Sequence, residues 1–145
     1  MDYTSTAYRD TEEQRVRLVH IRCKNTGEMI SVPFGSTLSE VFKAAAFDMS
    51  YGPVCACVNN KVQGMNYRFY NNKDVNFLSL HSPSGMRTYT RTLFFVLAKA
   101  VEDLFPQGQL IIGAPVSKGY YCELRVGRDV QPDDVERISN RMQEI

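Results

Sequence analysis

No phosphate-cradling Gly-x-x-x-x-Gly-Lys-[Ser/Thr] loop occurs in this 145-residue sequence, and Gly-x-Gly-x-x-Gly, Gly-x-Ser-x-Gly and His-Glu-x-x-His are also missing. Those absences exclude, within this stretch, a nucleotide-triphosphate cradle, a dinucleotide fingerprint, a nucleophile elbow and a zincin helix. Histidine is scarce: His20 falls in a predicted strand and His81 at a predicted boundary, positions better suited to structural than catalytic roles. The acidic residues sit mainly at helix starts and turns, where the helix dipole and solvation account for them, and no carboxylate pair stands out. Net charge is also lacking. Seventeen Lys and Arg oppose sixteen Asp and Glu, so any site for a polyanion has to be local. No apolar run approaches the roughly 20 residues that span a bilayer, and residues 1–15 lack the apolar centre of a signal peptide. The chain therefore reads as cytoplasmic, with no membrane partner.

Four cysteines are present, Cys23, Cys55, Cys57 and Cys122, the first three in apolar, strand-like surroundings that suit reduced core thiols. Cys55 and Cys57 would share one side of a strand, but no second pair or nearby histidine completes a tetrahedral set, so no metal site is expected.

A hydrophobic content of 43% is ordinary for a folded chain of this length, which can hold one medium domain or two small ones. Residues 1–14 read as a disordered polar tail. The β-branched stretch 16–23, the turn Lys24-Asn25-Thr26-Gly27 and the stretch 29–32 predict a hairpin. Thr37-Leu38-Ser39-Glu40 is a capping box, and Leu38, Val41, Phe42 and Ala45 follow on one helical face. Residues 54–58 predict a strand buried on both sides, 62–65 a short strand after the turn Asn59-Asn60-Lys61, and 75–80 a closing one preceded by the turn residues Asn71-Asn72-Lys73-Asp74. Strand, strand, helix, then strands is the β-grasp order, and a right-handed crossover makes it feasible.

His81-Ser82-Pro83-Ser84-Gly85 reads as a boundary, dividing a domain over 15–81 from a second over 82–145. In the second, Leu93, Leu97, Ala100, Val101 and Leu104 mark a long helix ending at Pro106. Strands over 110–112 and 120–126 flank a Pro115–Gly119 turn, and a helix opens at Pro132 with Asp133 and Asp134 in its first turn. Val135, Ile138, Met142 and Ile145 keep helical spacing to the last residue, an expectation of truncation inside the second domain.

Two clusters are candidate ligand or RNA surfaces. Tyr67-Arg68-Phe69-Tyr70, with Lys61 and Lys73 nearby, interleaves rings that could stack on bases with cations that could meet phosphates. Packing along a β-edge with snorkelling side chains is the plainer account, and the balanced charge favours it. Arg87 and Arg91, four apart on the long helix with Lys99 beyond them, could share a face, for which a solvated surface is the plainer account.

Residues 16–80, through Cys23-Lys24-Asn25-Thr26-Gly27, Val32-Pro33-Phe34-Gly35-Ser36-Thr37-Leu38 and Val58-Asn59-Asn60-Lys61-Val62, resemble a TGS domain, the β-grasp module of threonyl-tRNA synthetases, stringent-response enzymes and certain GTPases. Beyond the boundary, the run from Lys99 to Pro106, then Gly119-Tyr120-Tyr121 and Arg141-Met142-Gln143-Glu144-Ile145 resemble the synthetases' second amino-terminal domain. In those synthetases the long helix opens with two editing histidines, and the matching positions here are Arg91 and Phe95. The runs 84–91 and 115–120 are similar to bacterial uridine (nucleoside) kinases that carry the same front end. The fold this implies is α+β, a β-grasp TGS domain followed by a truncated synthetase-like domain.

That last resemblance implies a non-catalytic regulatory or nucleotide- or RNA-binding region. Its partner would be a C-terminal kinase domain of the same chain, which would use ATP and Mg beyond this sequence. The alternatives are the amino-terminal region of a threonyl-tRNA synthetase without its editing histidines, or a scaffold.

Overall fold

The computed structural model describes residues 16–145, so the polar tail expected over 1–14 lies outside the described residues. The chain divides into two compact units, the first ending at Gly85 and the second running Met86–Ile145.

In the first unit, β1 (Leu18–Cys23) and β2 (Met29–Pro33) form the expected hairpin, with Val19 opposite Val32 and Ile21 opposite Ile30. The two-residue period of a strand sends these four inward with Cys23 and leaves His20, Arg22, Met29 and Ser31 on the other face. Helix α1 (Leu38–Ala45) starts at the capping box: the Thr37 hydroxyl accepts from the Glu40 amide at 3.3 Å, and the Glu40 carboxylate accepts from the Thr37 amide at 2.6 Å. The bonds this carboxylate accepts from the Thr37 amide and, at 2.9 Å, from the Thr37 hydroxyl hold the Glu40 carboxyl below its ordinary range. Leu38, Val41 and Ala45 are buried, and Phe42 packs on the same core against Phe47 and Phe77.

Strands β3 (Cys55–Val58), β4 (Lys61–Gln63) and β5 (Lys73–Leu78) complete a five-stranded mixed sheet of order β2-β1-β5-β3-β4. β3 is interior, as its apolar sequence predicts. β5 lies parallel to β1 and antiparallel to β3. This is the β-grasp arrangement, and the fold is α+β.

Several features depart from the sequence reading, among them β4, which spans Lys61–Gln63 rather than 62–65. β5 begins at Lys73 rather than Val75, because its pairing with β1 starts with Ile21 opposite Lys73. The segment carrying Tyr67-Arg68-Phe69-Tyr70 is no strand. It has a single isolated bridge, Thr37 to Arg68, and is tied down by Gly35 N to Phe69 O (2.7 Å), Phe69 N to Ser36 O (2.9 Å) and Leu38 N to Tyr67 O (2.9 Å). Phe69 is thereby set wholly inside the core.

Asn25 extends the parallel pairing beyond the end of β1. Its Nδ2 donates to Phe77 O at 3.1 Å and its Oδ1 accepts from Phe77 N at 2.8 Å, so the side chain stands where the next residue of a strand would pair.

A helix starts within the boundary stretch His81–Gly85. Helix α2 (Pro83–Leu104) opens with Pro at its first position, and the Ser82 hydroxyl accepts from the Gly85 amide at 3.0 Å. Gly85 is required there, since a Cβ would lie 1.9 Å from the Ser79 carbonyl oxygen.

The second unit also contains the hairpin β6 (Gln109–Val116) and β7 (Gly119–Arg125), followed by α3 (Pro132–Glu144). β6 runs longer than expected, through an irregularity between Ile112 and Pro115 that admits the proline. The core is small: Ala100, Val101 and Ile138 are buried, with Leu97, Leu104 and Met142 packed against them. Arg141 on α3 reaches Asp103 on α2 at 2.8 Å. Val135, expected on the apolar stripe, is 59% exposed. Among the described residues no helix is long and apolar enough to cross a membrane.

The start of α3 is fixed by a buried carboxylate. Arg128 clamps Asp134 through Nη1 to Oδ2 at 2.6 Å and Nη2 to Oδ1 at 2.9 Å, and the Gln131 amide donates to the same side chain at 2.9 Å. The Arg128 bonds, then the Gln131 amide, hold its carboxyl well below the usual range.

Two outcomes are expected. Asn25→Ala strips the Phe77 amide and carbonyl of their partner and should cost about 1–3 kcal/mol in urea unfolding. Because the folded state depresses the Asp134 carboxyl, the stabilisation it provides is complete above the ordinary carboxylate range and is lost as pH falls below it. The protection factors of α3 amides, corrected for the intrinsic pH dependence of exchange, should therefore fall below about pH 4, and Asp134→Asn should already show weakened α3 protection at neutral pH and lack that acid-dependent step.

Candidate functional site

The solvent face of the first unit's sheet carries the most chemically distinctive surface. Alternation along β1 places His20 and Arg22 there, with Lys24 just past the strand end. Parallel pairing brings Asp74 opposite Arg22, and the two form a bidentate ion pair, Nε to Oδ1 at 2.9 Å and Nη2 to Oδ2. Lys24 Nζ stands 4.0 Å from the same carboxylate. Hydrogen bonding from Arg22 holds the Asp74 carboxyl below its ordinary range.

Three asparagines frame these charges. Asn59 and Asn60 make the tight β3–β4 turn with left-handed φ values of 44° and 68°, a conformation asparagine tolerates better than most residues. Asn59 Oδ1 accepts from the Asp74 amide at 2.9 Å, and Asn72 Oδ1 accepts from the His20 amide, also at 2.9 Å. With both acceptor oxygens committed to backbone amides, the Nδ2 groups remain as donors. His20 Nδ1 meets Ser31 Oγ at 2.9 Å, which fixes the ring.

All of these residues except Ser31, together with Met29 and Lys73, line an open cavity of about 560 Å³. Its walls carry the cations Arg22, Lys24 and Lys73 against one carboxylate, Asp74, already shared between Arg22 and Lys24. Such a lining suits an anion.

A second depression of about 470 Å³ shares Asn72 and Lys73 with the first and is bounded by Arg17, Leu18 and Tyr70. Tyr70, 54% exposed, meets the Phe34 ring edge-on at 5.1 Å, and the Arg17 guanidinium lies 4.6 Å above that ring.

The residues singled out from sequence divide accordingly. Lys73 lines both depressions and Tyr70 one of them. Lys61 is exposed at the start of β4 and lines neither. Tyr67 packs edge-on against Phe69 at 5.3 Å, and Arg68 donates from Nη1 to the Gly35 carbonyl at 2.9 Å, which makes it a latch on the turn before α1. Arg87 and Arg91 are exposed on α2, while Lys99 pairs with Asp103 at 2.8 Å. Phe95, one turn after Arg91, is 78% exposed. Sequence reasoning missed His20, Arg22, Lys24, Asn59, Asn60 and Asn72. The alternation of β1 was a usable signal for the first two; the asparagines read only as turn formers. Among the described residues no group of three or more His, Cys, Asp or Glu could hold a metal.

No family model matches the sequence. Among curated proteins, it is similar to the threonine–tRNA ligase of Streptomyces coelicolor, 31% identical over 130 residues, which cover 90% of this chain and 19% of that protein. It is 34% identical over 92 residues to the Thermobifida fusca threonine–tRNA ligase, covering 63% of this chain and 14% of the relative. The Clostridium kluyveri threonine–tRNA ligase matches over 128 residues at 27%, 88% of this chain and 20% of the relative. The chain thus spans a fifth or less of the length of these relatives. These matches correct the expectation of a uridine kinase front end: the relatives are threonine–tRNA ligases, and they favour the synthetase-like alternative.

Arg68→Ala should cost about 1 kcal/mol in denaturant unfolding, since it leaves the Gly35 carbonyl without its donor. Lys61→Ala, which touches neither depression, should stay within about 0.5 kcal/mol of the parent.

Proposed function

We propose that this chain is the amino-terminal region of a threonine–tRNA ligase-like protein and that it contacts tRNA without performing editing chemistry. The similarity to the Streptomyces coelicolor enzyme carries this reading, because it runs through 90% of the chain and so takes in both units rather than the β-grasp module alone. The β-grasp order of the first unit and the α+β second unit agree with it.

Arg91 and Phe95 stand where the resemblance places two editing histidines. A guanidinium stays protonated at ordinary pH and offers no lone pair to a metal or a proton, and a phenyl ring has no donor atom. Neither supports zinc binding or hydrolysis at that position of α2. The region then serves as an RNA-facing extension whose chemistry, if any, is carried elsewhere in the protein.

Fluorescence anisotropy with labelled threonine tRNA should show saturable binding by the purified chain that weakens steeply as salt rises. Mischarged threonine tRNA should lose its amino acid no faster in the presence of the chain than in buffer. Accelerated deacylation, or no binding even at low salt, would overturn the reading.

A further inference from the structure

We propose that the paired depressions on the sheet face of the first unit bind a single-stranded RNA segment, with phosphate in the Arg22–Lys24–Lys73 cavity and a base against Tyr70. Three observations converge on this assignment. The first cavity holds three cations and a single carboxylate already shared by two of them, so a phosphodiester entering there meets an excess of positive charge. Its neutral lining is biased the same way: Asn59 and Asn72 spend their acceptor oxygens on backbone amides and keep their NH₂ donors. These amides are fixed by the β3–β4 turn and by β1, so they are organised before any ligand arrives.

The third observation is adjacency. Asn72 and Lys73 belong to both depressions, and the second offers the half-exposed Tyr70 ring, braced edge-on by Phe34 beneath Arg17. A charged groove beside a braced aromatic ring is the arrangement by which proteins track a flexible strand: cations take the backbone and the ring takes a base. A duplex, with its bases stacked inside, could not use Tyr70 in this way. The site lies in one unit and needs nothing from the other.

This inference deepens the tRNA reading by naming a surface, and the two fail separately, since folded tRNA tests the first and a short unstructured oligonucleotide tests the second. The probe is a fluorescein-labelled decauridylate titrated with the full 145-residue chain at low salt. Lys24→Gln combined with Lys73→Gln should weaken binding by about ten-fold and flatten the log-affinity against log-salt slope by about 1.4, the value for two lost phosphate contacts on a single strand. Tyr70→Ala should weaken binding by about ten-fold with little change in that slope, and Tyr70→Phe should retain it. Lys43→Gln, which removes one positive charge on exposed α1, should leave binding unchanged. In the parent, the side-chain amide signals of Asn59, Asn60 and Asn72 should shift on titration, a readout that requires no variant to fold. Equal loss on Lys43→Gln would reduce the effect to general charge attraction and overturn the proposal. Unshifted asparagine signals, or a uridine monophosphate that competes as well as the decamer, would overturn it equally.

Discussion

The parallel contact between β1 and β5 is the constraint on which the first unit depends. Antiparallel neighbours can be joined by a two-residue turn, but a parallel pair requires a crossover that leaves the sheet and returns. Everything between Pro33 and Lys73 serves that return. α1 covers the inward face, β3 and β4 extend the far edge, and the segment through Phe69 closes the core before β5 enters beside β1. The register is held from both ends. Arg22 and Asp74 pair on the solvent side, and Asn25 grips both backbone groups of Phe77 past the end of β1. The exposed ion pair contributes little stability by itself, so the Asn25 bonds and the burial of Val75 and Phe77 carry most of the register's energy.

The same constraint places the candidate site. A strand entering parallel to β1 brings its first residues, Lys73 and Asp74, beside Ile21 and Arg22, and it carries the preceding Asn72 against His20. The β3–β4 turn reaches this end of the sheet because β3 pairs antiparallel with β5, setting Val58 opposite Val75 and Asn59 next to Asp74. Charges from β1 and β5, which lie some fifty residues apart in sequence, therefore meet beside the asparagine amides of the turn after β3. Local pattern alone does not reveal such a meeting.

How far the sequence disclosed the molecule follows from that distinction. Features set by near neighbours were legible: the capping box at Thr37, the alternation of β1, the proline at the start of α3 and the apolar run of β3. Features set by long-range pairing were not. The Tyr67-Arg68-Phe69-Tyr70 run alternates like an edge strand, yet the core takes Phe69, the Gly35 carbonyl takes Arg68, and only Tyr70 is left for a surface role. Asn25 and Asn72 looked like turn residues because their value lies in backbone groups about fifty positions away. The helix start within the boundary stretch Ser82-Pro83-Ser84-Gly85 was not legible, since a serine before a proline suits both a turn and a helix start.

Charge shows the same separation of scales. A net charge of +1 argues against a protein-wide field for nucleic acid, and nothing in the structure contradicts that. Recognition of a phosphate within one cavity depends instead on the groups within about a Debye length, roughly 10 Å at ordinary salt. Many of the chain's carboxylates are engaged locally: Glu40 at the α1 cap, Asp103 between Lys99 and Arg141, Asp134 under Arg128, and Asp74 between Arg22 and Lys24. Glu40 is spent on the Thr37 cap, and Asp74 offsets only one of the three positive charges of Arg22, Lys24 and Lys73. Near neutrality over the whole chain is therefore compatible with a strongly biased cavity, and the bias depends on how the carboxylates are distributed rather than on how many there are.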